Sequence, residues 1–376
     1  MTGPITEELV TKLTPRILLL QHKSRDPITV YIDSPGGLVS SAETILRLLN
    51  LSDQDQADSC EIITAVTSQA ASAAADLLSS GDYAVAFPTS TILHHGVRQM
   101  DKNPSTLESA SMLSETLRLS NDIYANQLAQ KIEDRFTYRY LLARAEFDEL
   151  RETKGSPNLS ELDCFIEYIE GKLSQGAKKL WTKAKNRHER YRALFASVTQ
   201  SREKLSAIET PLAFEAEIIK SIVDFEVNSN DPGDFRSFRF RGMRRLVDDF
   251  FLVNEYLTST TSQRLAKWCT SFGKLILTEE QETEIEAISD DEQREKRLNE
   301  IGAPILQPIL SFFGALCHAL QEGENEFTAT DAYWLGLVDE VLGLDLWTIR
   351  SMEEFVADPS EETEEHEQTD TTTTNG

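Results

Sequence analysis

Apolar and polar residues alternate in two different registers over residues 1–95. A helical spacing at 6–20 gives way to a β-rich run at 28–32, a helical pattern at 38–49 and an apolar strand pattern at 62–67. A small-residue helix at 72–80 and two short strand patterns near 83–87 and 91–94 follow. Segments of period 3.6 interleaved with segments of period 2 predict an α/β architecture. A longer helical pattern then runs from Thr106 to Lys131, with Leu107, Met112, Leu113, Leu117, Leu119, Ile123 and Leu128 recurring at mixed three-to-four spacing.

From 133 to 305 the pattern is charged and helix-rich, and Asp231-Pro232-Gly233-Asp234 reads as a turn dividing it into two helical halves. Two stretches are basic, Gly171 to Lys185 and Phe235 to Arg245, and the second interleaves aromatics with arginines as a single-strand nucleic-acid platform does. The whole chain argues otherwise. Its formal net charge is −26 and its pI near 4.6, so phosphates are repelled. Nucleic acid and anionic membrane surfaces are therefore excluded as general partners, and the basic stretches are expected to pair with the segment's own carboxylates. Its one histidine, His188, is expected on an exposed basic helix. From Glu353 to Gly376 there are nine acidic residues and no Lys or Arg, the composition of a disordered, solvated tail. The organisation read from these shifts is a core at 1–132, a helical insertion at 133–305 acting as an appendage, a second core part at 306–350 and an acidic tail at 351–376. The four cysteines, Cys60, Cys164, Cys269 and Cys317, lack metal-ligand or CxxC spacing, which suits a reduced cytoplasm. Neither a signal-peptide pattern nor a run of about 20 apolar residues is found, so no membrane partner is expected.

Chemistry concentrates at two strand-to-helix junctions. Ser72 sits where the apolar run Ile62 to Val66 passes into Ala73-Ala74-Ala75-Asp76, and a strand ending in His94-His95 follows. Serine is a weak nucleophile on its own and needs an imidazole within reach and N–H groups aimed at the developing oxyanion. Gly36-Gly37, closing the run Ile28 to Asp33, is a turn that points free N–H groups at a ligand. The plainer reading of Ser72 is a helix N-cap, and of the histidines a satisfied strand end. Alternate strand residues face opposite sides, so only one of the two histidines can face Ser72.

Four blocks in order carry a resemblance. They are Gly3-Pro4-Ile5 with its following helix; Tyr31-Ile32-Asp33-Ser34-Pro35-Gly36-Gly37; Ser68-Gln69-Ala70-Ala71-Ser72 with Ser90-Thr91-Ile92-Leu93-His94-His95; and Ala329-Thr330-Asp331-Ala332 through Gly336-Leu337-Val338-Asp339. Together they resemble the proteolytic subunit of Clp protease, over roughly 1–132 and 306–345. The resemblance implies a crotonase-like core of repeated ββα units and a serine endopeptidase that forms an acyl-enzyme on Ser72. It implies Gly37 and Ala73 as oxyanion N–H donors and, counting from Ser90, His95 as base with His94 the fallback. A gapless count back from Ala329 puts Glu324 at the acid position, whereas aligning Phe327 puts Asn325 there, with Glu326 adjacent. Peptide or unfolded-protein substrates, a homo-oligomer, an AAA+ unfoldase and no metal or organic cofactor are also implied. Ser68 and Asp33 depart from the family's glycine and asparagine, and the family's strand and axial loop before the first helix are not found, which weakens the expectation of an unfoldase. Two other classes stay open: a catalytically weak scaffold that binds partners through the insertion, and a crotonase-type acyl-CoA enzyme, which would not need Ser72 with a histidine.

Overall fold

The computed structural model describes residues 1–51, 60–98, 106–200, 265, 268–270 and 272–348. The expected turn at 231–234, the arginine–aromatic stretch 235–245 and the acidic tail lie outside these residues. The first half runs α1 (Glu7–Lys23), β1 (Ile28–Ser34), α2 (Val39–Leu49), β2 (Ile62–Ala71), α3 (Ala73–Ser79), β3 (Tyr83–Ala86) and β4 (Thr91–His95). Each expected element is present within a few residues of its predicted bounds. Thr6 caps α1 by accepting the Leu9 N–H at 3.3 Å, and Glu7 and Glu8 sit favourably at its positive end. Helix α4 (Leu107–Ala143) starts on a Thr106–Ser109 capping box and extends a dozen residues beyond the predicted Lys131, because Ile132, Phe136 and Tyr140 continue its buried face.

The second half comprises α5 (Phe147–Lys154), α6 (Glu161–Lys172), α7 (Gln175–Gln200), α8 (Gly273–Ile276), α9 (Glu279–Glu286), α10 (Asp291–Leu320), β5 (Glu324–Thr328), α11 (Ala329–Trp334) and β6 (Glu340–Val341). The six strands form one sheet in the order β5-β4-β2-β3-β6, with β1 also on β2. All pairings are parallel except β4–β5, which is antiparallel. The long strand β2 is the hub: its first half pairs β1 and β3, and its last residues, Gln69 to Ala71, pair β4. This is a mixed α/β fold, as expected.

The segment at 133–305 is helical where described, yet it is built into the core rather than hung from it. Phe136 on α4 stacks on Phe313 of α10 at 4.4 Å and meets Phe165 of α6 edge-on at 5.3 Å, while Trp181 of α7 packs on Phe312 at 4.8 Å. One contiguous hydrophobic cluster includes these rings and the sheet residues Ile32, Val66 and Ile92. Polar ties reinforce the joint: Asp331 accepts hydrogen bonds from the Ser174 N–H and hydroxyl, both at 2.8 Å. Helices α4 and α10 run across the expected domain borders at 132 and 305. The appendage expectation therefore gives way to a shared core.

His188 differs from expectation as well. It is 2% exposed, with its ring edge-on to Phe312, because the buried face of α7 continues from Leu180, Trp181 and Ala184 through the same spacing. Helix α10 alone among the described helices is long and apolar enough to cross a membrane, but 67% of its apolar window is buried inside the protein. Its apolarity serves the core.

The returning strand region is locked to the first half by a buried ion pair. Arg135 of α4 holds Asp339 at 2.7 Å and donates to the carbonyls of Ser79 and Gly81, while Asp339 also accepts the Ala84 N–H at 2.7 Å. This assigns a structural role to the Asp339 of the last sequence block.

Candidate active site

Ser72 is the one non-glycine residue with positive φ among the described residues, at φ 56° and ψ −131°. L-residues resist this region, at a cost of order 1–3 kcal/mol, and such strain persists only where surrounding structure imposes it. Here β2 must end and α3 begin within one residue. The Ser72 N–H is tied to the Leu93 carbonyl of β4 at 2.8 Å, and its side chain makes no capping bond to α3. The helix-cap reading of Ser72 is thus not what the structure contains. A serine on a strained strand-to-helix turn, with its hydroxyl freed from capping, is the local geometry of a nucleophile elbow.

Gly36 presses against this turn, while Gly37 lies against the Ile5 backbone. A Cβ on Gly36 would stand 2.3 Å from the Ala71 carbonyl oxygen and 2.7 Å from the Ser72 Cβ, so only glycine lets the two turns touch. The segment before α1 fixes the glycines from the other side: Ile5 donates to the Gly36 carbonyl at 2.8 Å and accepts from the Leu38 N–H at 2.9 Å. The N–H groups of Gly37 and Ala73 donate to no carbonyl or side chain among the described residues, which leaves both for a ligand.

The two histidines are separated by the pleat. On β4, Ile92 and His94 are buried, whereas Thr91, Leu93 and His95 face the other way. His94 is 1% exposed and its Nδ1 lies 3.5 Å from Oδ1 of Asp76, one turn into α3. Its Nε2 is buried without a hydrogen-bond partner among the described residues. His95 instead turns its Nδ1 to the Gly96 carbonyl at 2.7 Å. The β4–β5 register couples each histidine to one acid candidate, His94 opposite Asn325 and His95 opposite Glu324. Glu324 is exposed and bonded to Arg98 at 2.8 Å, and this guanidinium, with a smaller contribution from His95, holds its carboxyl below the usual range. Asn325 spends its amide on the carbonyls of Leu320 and Glu322, at 2.9 and 3.2 Å. Glu326 falls opposite Leu93. The face that meets α3 is thus the His94 face; His95 and Glu324 are brought together, but on the opposite face.

A cleft of about 760 Å³ opens beside the Ser72 turn between α2, α3 and α4. Val39, Ala42, Leu46 and Leu128 give it an apolar wall, and Ala73 and Asp76 border it on the side of the serine. Apolar clefts with a few convergent polar groups are the usual form of ligand sites. Among the described residues no cluster of three His, Cys, Asp or Glu is placed to hold a metal.

A parallel-centred α/β sheet, a strained serine at a strand end and a glycine turn beside it fit a crotonase-like scaffold. Residues 1–138 match the family model described as Clp protease. The match takes in Gly37, Ser72, Ala73, His94 and His95 and ends within α4; the acid candidates on β5 lie beyond it. The turn glycines and the serine were visible in sequence because their motifs are local. Asp76 was not singled out: it lies four residues after Ser72, in the first turn of α3, and only the fold brings it beside His94.

Proposed function

We propose that this protein is a serine endopeptidase in which Ser72 is the nucleophile, His94 the base, and the Gly37 and Ala73 N–H groups the oxyanion donors. The observation that carries the reading is the forced backbone of Ser72 against Gly36, with a side chain that makes no capping bond and the next residue, Ala73, lining an apolar cleft. The Ser72 Oγ attacks the peptide carbonyl as its proton passes to His94. The tetrahedral oxyanion is held by the two N–H groups, and its collapse breaks the C–N bond while His94 protonates the departing amine. Water, deprotonated by His94, then attacks the ester carbonyl; collapse frees the acid and returns the proton to Ser72. Choosing His94 over the counted His95 follows the contact of His94 with α3 and the capture of the His95 ring by Gly96.

Substrates are peptides or unfolded proteins whose apolar side chain enters the cleft. Assembly with further copies of the chain is part of the reading, since Met112, Leu119 and Ile123 are exposed along one stripe of α4. The free, buried state of all four cysteines favours a reducing compartment, the cytoplasm. An AAA+ unfoldase remains the partner class to try. The test is hydrolysis of fluorogenic peptides with a large apolar residue before the scissile bond. Turnover that Ser72→Ala abolishes supports the proposal, and turnover that survives Ser72→Ala overturns it. A second reading, a scaffold without turnover, is favoured by one observation: the residue opposite His94 on β5 is Asn325 rather than an acid. Complete inactivity of the assembled protein would select it.

A further inference from the structure

We propose that Asp76 is the residue that positions His94 for catalysis, so that the orienting acid sits in the first turn of the helix that directly follows the nucleophile. This rests on the reading of Ser72 and His94 as nucleophile and base. The function needs an acceptor for the imidazole N–H: it fixes the tautomer and stabilises the imidazolium formed as the serine loses its proton. Asn325, across the β4–β5 ladder, is uncharged and has its amide engaged by two carbonyls. Glu324 is bonded to Arg98 opposite the other histidine. Among the described residues, the carboxylate paired with His94 is that of Asp76, at 3.5 Å from Nδ1.

The second observation is the other ring nitrogen. His94 Nε2 is buried and has no hydrogen-bond partner among the described residues, Ser72 included. An imidazole with Nδ1 toward a carboxylate and Nε2 free is the form a general base takes before it accepts a proton. A contact of 3.5 Å exceeds a tight hydrogen bond, as catalytic contacts often do before substrate arrives. Asp76 is half-exposed on the cleft wall, where Lys131 and Tyr124 of α4 and Glu43 of α2 face the same space. The acid has thus moved from the returning strand to the helix that begins just after the nucleophile.

The experiment compares the full-length wild type with Asp76→Asn and Asp76→Glu, measuring the rate of fluorophosphonate labelling and the pH dependence of kcat/KM for a peptide. Asp76→Asn should slow labelling on the order of 10²–10⁴-fold, through kcat rather than KM. It should also move the acidic limb of the profile to lower pH, because imidazolium loses its nearby anion; a merely structural role would leave that limb in place. Asp76→Glu should recover part of the rate. Wild-type labelling with an unchanged Asp76→Asn rate and profile overturns the Asp76 assignment alone. A wild type that never labels overturns the nucleophile reading beneath it and the assignment with it.

Discussion

The backbone of Ser72 adopts a conformation that glycine enters freely and serine does not, and this has a measurable consequence. If the turn is forced by its surroundings, Ser72→Gly should be more stable than Ser72→Ala by about 1 kcal/mol, after glycine's larger unfolded-state entropy is set against the relieved strain. Urea denaturation of the two variants reads this, and equal stability would mean the turn is unstrained. The histidines give a sharper contrast. His94→Ala should lower peptide kcat by 10³-fold or more, whereas His95→Ala, whose ring is held by the Gly96 carbonyl, should stay within about tenfold of wild type. The reverse order would restore the base assignment made by counting. Sequence reached Ser72, Gly36 and Gly37 because each lies in a contiguous motif, with its chemistry readable from neighbours. Counting along the chain chose His95 with His94 as the fallback, but a shift of one residue reverses a strand's faces, and the ladder with β5 sets the register.

At the scale of elements, periodicity located α1 to α3, β1 to β4 and the start of α4 within a few residues, since each has a buried stripe or alternation. The end of α4 was missed by a dozen residues. Beyond Lys131 its sequence, Ile132 to Ala143, carries Glu133, Asp134, Arg135 and Arg139 among its apolar positions, and several of these charges are buried through long-range partners that no local pattern reveals. The same blindness affected α7. His188 looked exposed because its neighbours are basic, but it is buried on the Phe312 face, where desolvation and, secondarily, the nearby Arg192 push its pKa down from 6.5 to about 4. Between those values the unfolded chain binds a proton that the folded protein refuses, so this contribution is intact above about pH 6.5 and is lost as pH falls toward 4. His188→Phe should therefore remove a stability loss on the order of 2–3 kcal/mol on acidification from pH 7 to pH 4.5. Urea titrations at the two pH values would show a wild-type-minus-variant difference that changes with pH; a constant difference would contradict the buried, neutral imidazole.

For the whole molecule, the sheet with Ser72 and the helical layer of α4, α6, α7 and α10 share one core. Sequence divided them because the helical layer is charged and matches no motif, while the aromatic contacts that unite them, Phe136 with Phe313 and Trp181 with Phe312, join residues far apart in the chain. The exposed stripe of Met112, Leu119 and Ile123 lies on the part of α4 that projects from that core. Light scattering at micromolar concentration should find an assembly of several chains, reduced by Met112→Glu with Ile123→Glu; a stable wild-type monomer would refute self-association through this face. The central claim, that Ser72 is a live nucleophile, is tested most directly by treating the full-length protein with a fluorophosphonate and locating the adduct by peptide mass spectrometry. The account predicts one adduct, on Ser72, absent from Ser72→Ala and strongly slowed in His94→Ala. A folded, assembled wild type that acquires no adduct, or carries it on another serine, would contradict it.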